Sequence, residues 1–195
     1  MDEKRINLAL QGGGSHGAFT WGVLDRLLED DRLAVEAVSG TSAGAMNAAA
    51  LAAGYAAGGR EGARRALDRF WISTAERAAF SPFQRPLIDR LLGNWNLDRS
   101  PGYFWFNLFS NFVSPYQFNP LNHHPLRDIL ADQIDIEAVR ACQAVRVFIT
   151  ATNVRTGRAR VFGREDLSLD ALLASACLPH LFQAVEIDGD PYWDG

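Results

Sequence analysis

Residues 6–10 begin by alternating apolar and polar side chains, then run apolar into Gly12-Gly13-Gly14. This is the pattern of a short strand that stops at a glycine loop. From Ala18 the period changes. Trp21, Leu24 and Leu28 fall at helical spacing, with Val23 and Leu27 beside them, so a helix is expected to about Glu29. Val35, Ala37 and Val38 make residues 33–39 a second strand. Gly40-Thr41-Ser42-Ala43-Gly44 follows, and then small residues from 45 to 53. That run combines high helix propensity with little bulk, which suits a helix packed deep among its neighbours. Two strand–turn–helix units in succession predict an α/β fold built on a mainly parallel sheet.

Further along, residues 62–79 read as a helix with Ala66, Phe70 and Trp71 on one side, and 126–134 as a short amphipathic helix. Residues 145–150 are rich in β-branched and aromatic side chains and read as a core strand. Thr156-Gly157 marks a turn, with 160–162 pairing back as a hairpin. Ser168 suits the N-cap of a helix from 169 to about 177, ended by Pro179. Residues 185–187 and 191–193 flank Asp188-Gly189, a hairpin-turn dipeptide. One segment has a different texture. Residues 100–126 contain no Asp, Glu, Lys or Arg, and nine of the 21 aromatic residues fall between Trp95 and Phe118. Asn and Pro interrupt it throughout, so it is read as an aromatic-rich insertion at about 95–125 rather than a span or a long helix.

Composition narrows the field. The chain has 195 residues, enough for one domain with a sizeable core. Its 19 basic and 23 acidic residues leave a net charge of −4, which argues against a nucleic-acid partner. Two cysteines, Cys142 and Cys177, cannot form a disulfide framework, which favours a reducing compartment. No signal peptide and no membrane span are read from the sequence. The expectation is a cytoplasmic protein, able to work peripherally on a membrane.

Two glycine motifs carry the chemistry. Gly40-Thr41-Ser42-Ala43-Gly44 fits G-x-S-x-G with a strand before it and a helix after it. That context presents the Ser42 hydroxyl at the end of a sheet as a nucleophile. Gly12-Gly13-Gly14-Ser15-His16-Gly17 fits G-x-G-x-x-G, which could cradle a dinucleotide. That use wants an acidic residue closing the second strand, but Glu36 sits inside the strand. The loop amides suit a second role better, as donors to the oxyanion of acyl transfer. A serine nucleophile also needs a base. His16, His123, His124 and His180 do not follow an acid in the hydrolase order. His123-His124 is a weak candidate for a metal pair, and His180 reads as structural or surface. Asp194, between a strand and Gly195, can serve as the base directly.

Taken in order, the glycine loop at Gly12–Gly17, the elbow at Gly40–Gly44 and the final Asp194-Gly195 resemble the patatin-like phospholipase family. Ala174-Ser175-Ala176-Cys177-Leu178-Pro179 is similar to the family's Ala/Ser-rich stretch before the aspartate. The resemblance implies a patatin-like three-layer α/β sandwich with a mainly parallel sheet and a Ser42–Asp194 dyad. It implies oxyanion-hole amides at Gly12, Gly13 and Gly14, with Gly17, Gly40, Gly44 and Gly195 as motif glycines. It implies hydrolysis of lipid acyl esters, of phospholipase A or lysophospholipase type, without cofactor or metal. A carboxylesterase or an intracellular polyester (polyhydroxybutyrate) hydrolase with the same dyad is the alternative. A non-catalytic lipid- or nucleotide-binding module is the second. His16 stands where the family usually carries Arg or Lys. The aromatic segment 95–118 would be a loop covering the core, a lid or membrane-docking surface, or an oligomer contact. Family members continue past the Asp-Gly pair, so residues 1–195 are expected to be the N-terminal portion of a longer catalytic chain.

Overall fold

The computed structural model describes residues 3–78 and 114–195. Most of the aromatic segment, and the end of the helix expected over 62–79, lie outside these residues. The first strand, β1 (Lys4–Leu10), runs parallel to β2 (Leu33–Gly40), and helix α1 (Gly17–Glu29) makes the crossover between them. A 3-10 turn at Gly14–His16 leads into α1. Leu24 and Leu28 are buried, at the helical spacing read from the sequence, whereas Phe19 and Val23 face outward.

The helix α2 spans Ala43–Ala78. It unites the two helices expected over 45–53 and 62–79. The helical backbone breaks between them, at Gly58 (φ −166°) and Gly59 (φ 60°). The alanine-rich first half is fully enclosed, from Ala45 to Ala52. Its side chains are short, so strands and helices approach it from several sides. The second half returns close to the first. A methyl group on Gly62 would lie 2.2 Å from the Gly54 carbonyl oxygen, a separation that only glycine permits. Arg64 on this half binds Asp25 and Glu29 of α1, fastening the two helices at their rim.

Three short helices follow: α3 (Pro115–Phe118), α4 (Pro125–Gln133) and α5 (Ile136–Ala141). The sequence reading anticipated only α4. Helix α5 is capped by Asp135, whose carboxylate accepts from the Ala138 N–H. Strand β3 (Arg146–Asn153) then lies parallel to β2, completing the parallel run β1–β2–β3. Beyond it the sheet turns antiparallel, because tight hairpins supply the remaining strands. Strand β4 (Ala159–Phe162) folds back on β3. Helix α6 (Leu169–Ser175) is capped by Ser168, as its sequence predicts. Strands β5 (Val185–Ile187) and β6 (Asp190–Trp193) form the last hairpin. Asp188 and Gly189 both have positive φ, as a two-residue primed turn requires. The sheet is therefore mixed, with six strands among the described residues.

The pairing places β6 with unusual consequence. Ile149 pairs with Gly40 of β2 and Phe162 of β4, so those strands lie on opposite edges of β3. Thr152 pairs with Ala159 of β4 and with Trp193 of β6, so β6 shares the β2 edge. Strands β2 and β6 thus meet β3 end to end, running toward each other. The residues after Gly40 and after Trp193 arrive at one place.

Candidate active site

That place is the C-terminal end of β2. The turn from β2 into α2 is tight enough that a methyl on Gly44 would lie 2.3 Å from the Leu10 carbonyl oxygen. A methyl on Gly40 would lie 2.4 Å from the Gly44 backbone. These two glycines let the chain reverse against the end of β1. Between them Ser42 has φ 55°, a left-handed conformation uncommon for a residue with a side chain. The strained strand-to-helix turn is the geometry of a nucleophile elbow.

The glycine loop after β1 lies against this elbow. A methyl on Gly12 would stand 3.1 Å from Ser42 Cβ. Gly13 (φ 132°) and Gly14 (φ 56°) carry the loop into the 3-10 turn. The Gly13 carbonyl accepts from both the backbone N–H of His16 and its ring Nδ1, at 3.1 and 3.0 Å. A trans peptide points its N–H opposite its carbonyl. Holding the Gly13 oxygen toward His16 therefore turns the Gly14 N–H the other way. The N–H groups of Gly13, Gly14 and Ser15 have no backbone acceptor among the described residues. Gly17 begins α1, where Ala43 and Trp71 leave no room for a side chain.

Asp194 comes in from β6. Its N–H donates to the Cys177 carbonyl at 3.0 Å. Gly195, beyond it, lies beside Thr41 and Thr152. Burial pushes the Asp194 carboxyl up from its ordinary value, and hydrogen bonding from the Ser42 side chain and the Gly195 backbone offsets part of that. Burial, together with the Asp194 charge, pushes the neighbouring Cys177 thiol up to about 12, so it stays protonated.

The loop, the elbow and Asp194-Gly195 all line one cleft of about 1370 Å³. Its other walls are mainly apolar, with Trp21, Met46, Phe70, Trp71, Leu126 and Phe182 among them. The space exceeds the usual range for a small-ligand pocket and suits a long apolar substrate.

Three buried polar residues belong to this region, two of them, Asn47 and Ser175, given no catalytic role by the sequence, the third, His124, read there as half of a candidate metal pair. Asn47 donates to the Gly17 carbonyl and accepts from Trp71 Nε1, which ties the loop's exit to α2. Ser175 accepts from the Ser42 N–H at 2.9 Å and donates to the Thr150 carbonyl at 2.7 Å. His124 stacks on Phe182 at 3.8 Å, and neither ring nitrogen has a hydrogen-bond partner among the described residues. Burial, with the charges of Arg127 and His123, pulls its pKa down to about 4. His123 instead binds the Asn119 side chain through its backbone, and His180 is exposed. Among the described residues no three His, Cys, Asp or Glu side chains are grouped to hold a metal ion.

With this geometry in view, comparison with known proteins is decisive at the family level. The model of the patatin-like phospholipase family matches residues 8–195. The chain belongs to that family. Among solved structures, this patatin-like chain is similar to VipD from Legionella pneumophila, at 16% identity and a TM-score of 0.52. That match covers 100% of this chain and 46% of the other. It is also similar to the type III effector ExoU, at 23% identity and a TM-score of 0.42, covering 92% and 41%. A complex of ExoU with SpcU from the Pseudomonas aeruginosa type III secretion system matches at 20% identity and 0.39, covering 91% and 37%. At these identities the likeness speaks to the fold, and only the VipD match is close enough to support it. The patatin-like chain spans less than half the length of these proteins. No curated protein matches it.

Proposed function

We propose that the chain hydrolyses lipid acyl esters, in the manner of a phospholipase A or lysophospholipase, through an acyl-enzyme on Ser42. The observation that carries this reading is the convergence of Ser42 and Asp194, far apart in sequence, in one largely apolar cleft, beside a glycine loop whose Gly13 and Gly14 amides have no backbone acceptor among the described residues.

Asp194, ionised, accepts the Ser42 proton as Ser42 Oγ attacks the ester carbonyl. The carbonyl electrons move onto oxygen, where the amides of Gly12, Gly13 and Gly14 are positioned to stabilise the charge. The Ser42 N–H is already spent on Ser175 and is not among those donors. Collapse of the intermediate breaks the bond to the alcohol, which departs with the proton from Asp194. Water, deprotonated by Asp194, then attacks the acyl-enzyme, and collapse releases the fatty acid as Ser42 Oγ takes the proton back from Asp194. The apolar walls would take the acyl chain, and no step calls for a metal or organic cofactor.

Work at a membrane surface from the cytoplasm belongs to the same proposal. No helix among the described residues is long and apolar enough to cross a membrane. Docking through residues 95–118 falls almost wholly outside the described residues. Within it, Tyr116 is exposed on α3, where its hydroxyl accepts from the Ala184 N–H.

Labelling by a fluorophosphonate probe tests the dyad. Wild type is expected to label, and Ser42→Ala not at all. Asp194→Asn is expected to lose about 10³-fold or more in rate, the scale of removing a general base. Unlabelled wild type, or a labelled Ser42→Ala, would overturn the assignment. A panel of phospholipid, triglyceride, short p-nitrophenyl ester and polyhydroxybutyrate then separates lipid from polyester hydrolysis.

A further inference from the structure

Strand β2 leaves β3 at Ile149 and β6 joins it at Thr152. Thr150 lies in the interval between them. Its carbonyl is met by the hydroxyl of Ser175, at the C-terminal end of α6. Ser175 is fully buried. Its single proton goes to Thr150, so the oxygen must present a lone pair to the Ser42 N–H. Both bonds have ordinary hydrogen-bond lengths and both partners are backbone, so the hydroxyl is held in one rotamer. Two residues later, the Cys177 carbonyl takes the Asp194 N–H. One short segment, Ser175 to Cys177, therefore holds the nucleophile and the base by their main chains.

We propose that Ser175 is a positioning residue for acyl transfer, fixing Ser42 in its left-handed conformation and setting its placement against Asp194. The proposal rests on the Ser42–Asp194 reading given above. The strained backbone at Ser42 needs an external restraint, since relaxation to an ordinary conformation would swing the hydroxyl off the carboxylate. Helix α2 restrains the residues after Ser42 and β2 those before it. The Ser175 hydroxyl is the only side-chain group among the described residues that takes the Ser42 amide itself. The same segment continues into Leu178 and Phe182, which line the cleft beside Asp194.

The test measures Ser175→Ala, Ser175→Thr and Ser175→Cys for kcat, KM and fluorophosphonate labelling rate, well below each variant's melting temperature. Ser175→Ala is expected to lose about 30- to 100-fold in kcat, with KM held within about twofold, the signature of a misplaced nucleophile. Its labelling rate should fall by the same factor. A folded Ser175→Ala that melts earlier but labels at the wild-type rate would overturn the proposal, because the hydroxyl would then serve the fold alone. If Ser175→Ala does not fold, the other two variants decide. Ser175→Thr keeps the hydroxyl and should stay within about fivefold of wild type, with the weakly bonding thiol of Ser175→Cys down at least about tenfold. Wild-type labelling by Ser175→Cys would overturn the proposal. Failure of wild type itself to label is a distinct result, which removes the dyad reading and this one with it.

Discussion

Asp194 must be charged to act as a base, and it sits where charge is costly. Burial raises its pKa above the ordinary 3.8. The acid limb of kcat/KM is therefore expected above that value, and a limb at or below it would remove Asp194 from the role. The same displacement sets the sign of a stability effect. At pH below the ordinary carboxylate range, Asp194 is protonated whether the chain is folded or not, and burial carries no charge penalty. As pH rises through the displaced folded value, the native state must hold a desolvated carboxylate and loses stability. Asp194→Asn should match wild type in chemical denaturation at about pH 3 and exceed it at about pH 8, while keeping only a small residue of activity. Equal stability at both pH values would mean that the carboxylate is solvated. The placement of Ser42 in a tight turn after β2, and of Asp194 after β6, was legible in the sequence because each sits in a local pattern of strand, glycine and turn. Ser175 was legible only as part of a resemblance. Its bonds to Ser42 and Thr150 join residues far apart in sequence, and no spacing rule encodes them. Asn47 escaped for the same reason, being one polar residue in a run of alanines.

Among the elements, α2 shows what small residues accomplish. The sequence announces two helices, and the structure delivers both, but the Gly58-Gly59 break lets the second fold back along the first. Gly54 and Gly62 make that contact, each with the other's carbonyl where a side chain would stand. Gly62→Ala is expected to destabilise the fold by about 1–3 kcal/mol in denaturant titration, through overpacking against backbone. An Ala at Gly22, where nothing lies within 4 Å, makes the control, and similar losses from both would refute the contact argument. The second half of α2 brings Phe70 and Trp71 to the cleft, so this glycine pair also shapes that space. The hairpin turns were readable from Thr156-Gly157 and Asp188-Gly189, because the backbone angles themselves demand such residues. Helix α5 was not readable, because six residues give too little periodicity to set against coil.

For the whole molecule, the sequence carried the α/β class and the parallel start of the sheet. What it could not carry was the order β1-β2-β3-β6-β5, in which the last strand returns to the edge already used by β2. That order depends on how distant strands pair across β3, a long-range choice with little local signature. Yet the site depends on it. Had β6 added to the outer edge with β4, Asp194 would lie a strand's width or more from Ser42.

The end-to-end meeting of β2 and β6 also has a consequence in time. During synthesis the nucleophile, the glycine loop and all of β1 to β3 exist long before Asp194 does. Contacts of such sequence separation form late. A fluorophosphonate probe present throughout a synchronised cell-free translation should therefore mark only chains that have passed Asp194, with shorter ribosome-bound chains left blank. Marked short chains would show Ser42 reactive without its partner. In a cell, a site assembled this way would stay incomplete on the ribosome until β6 arrives.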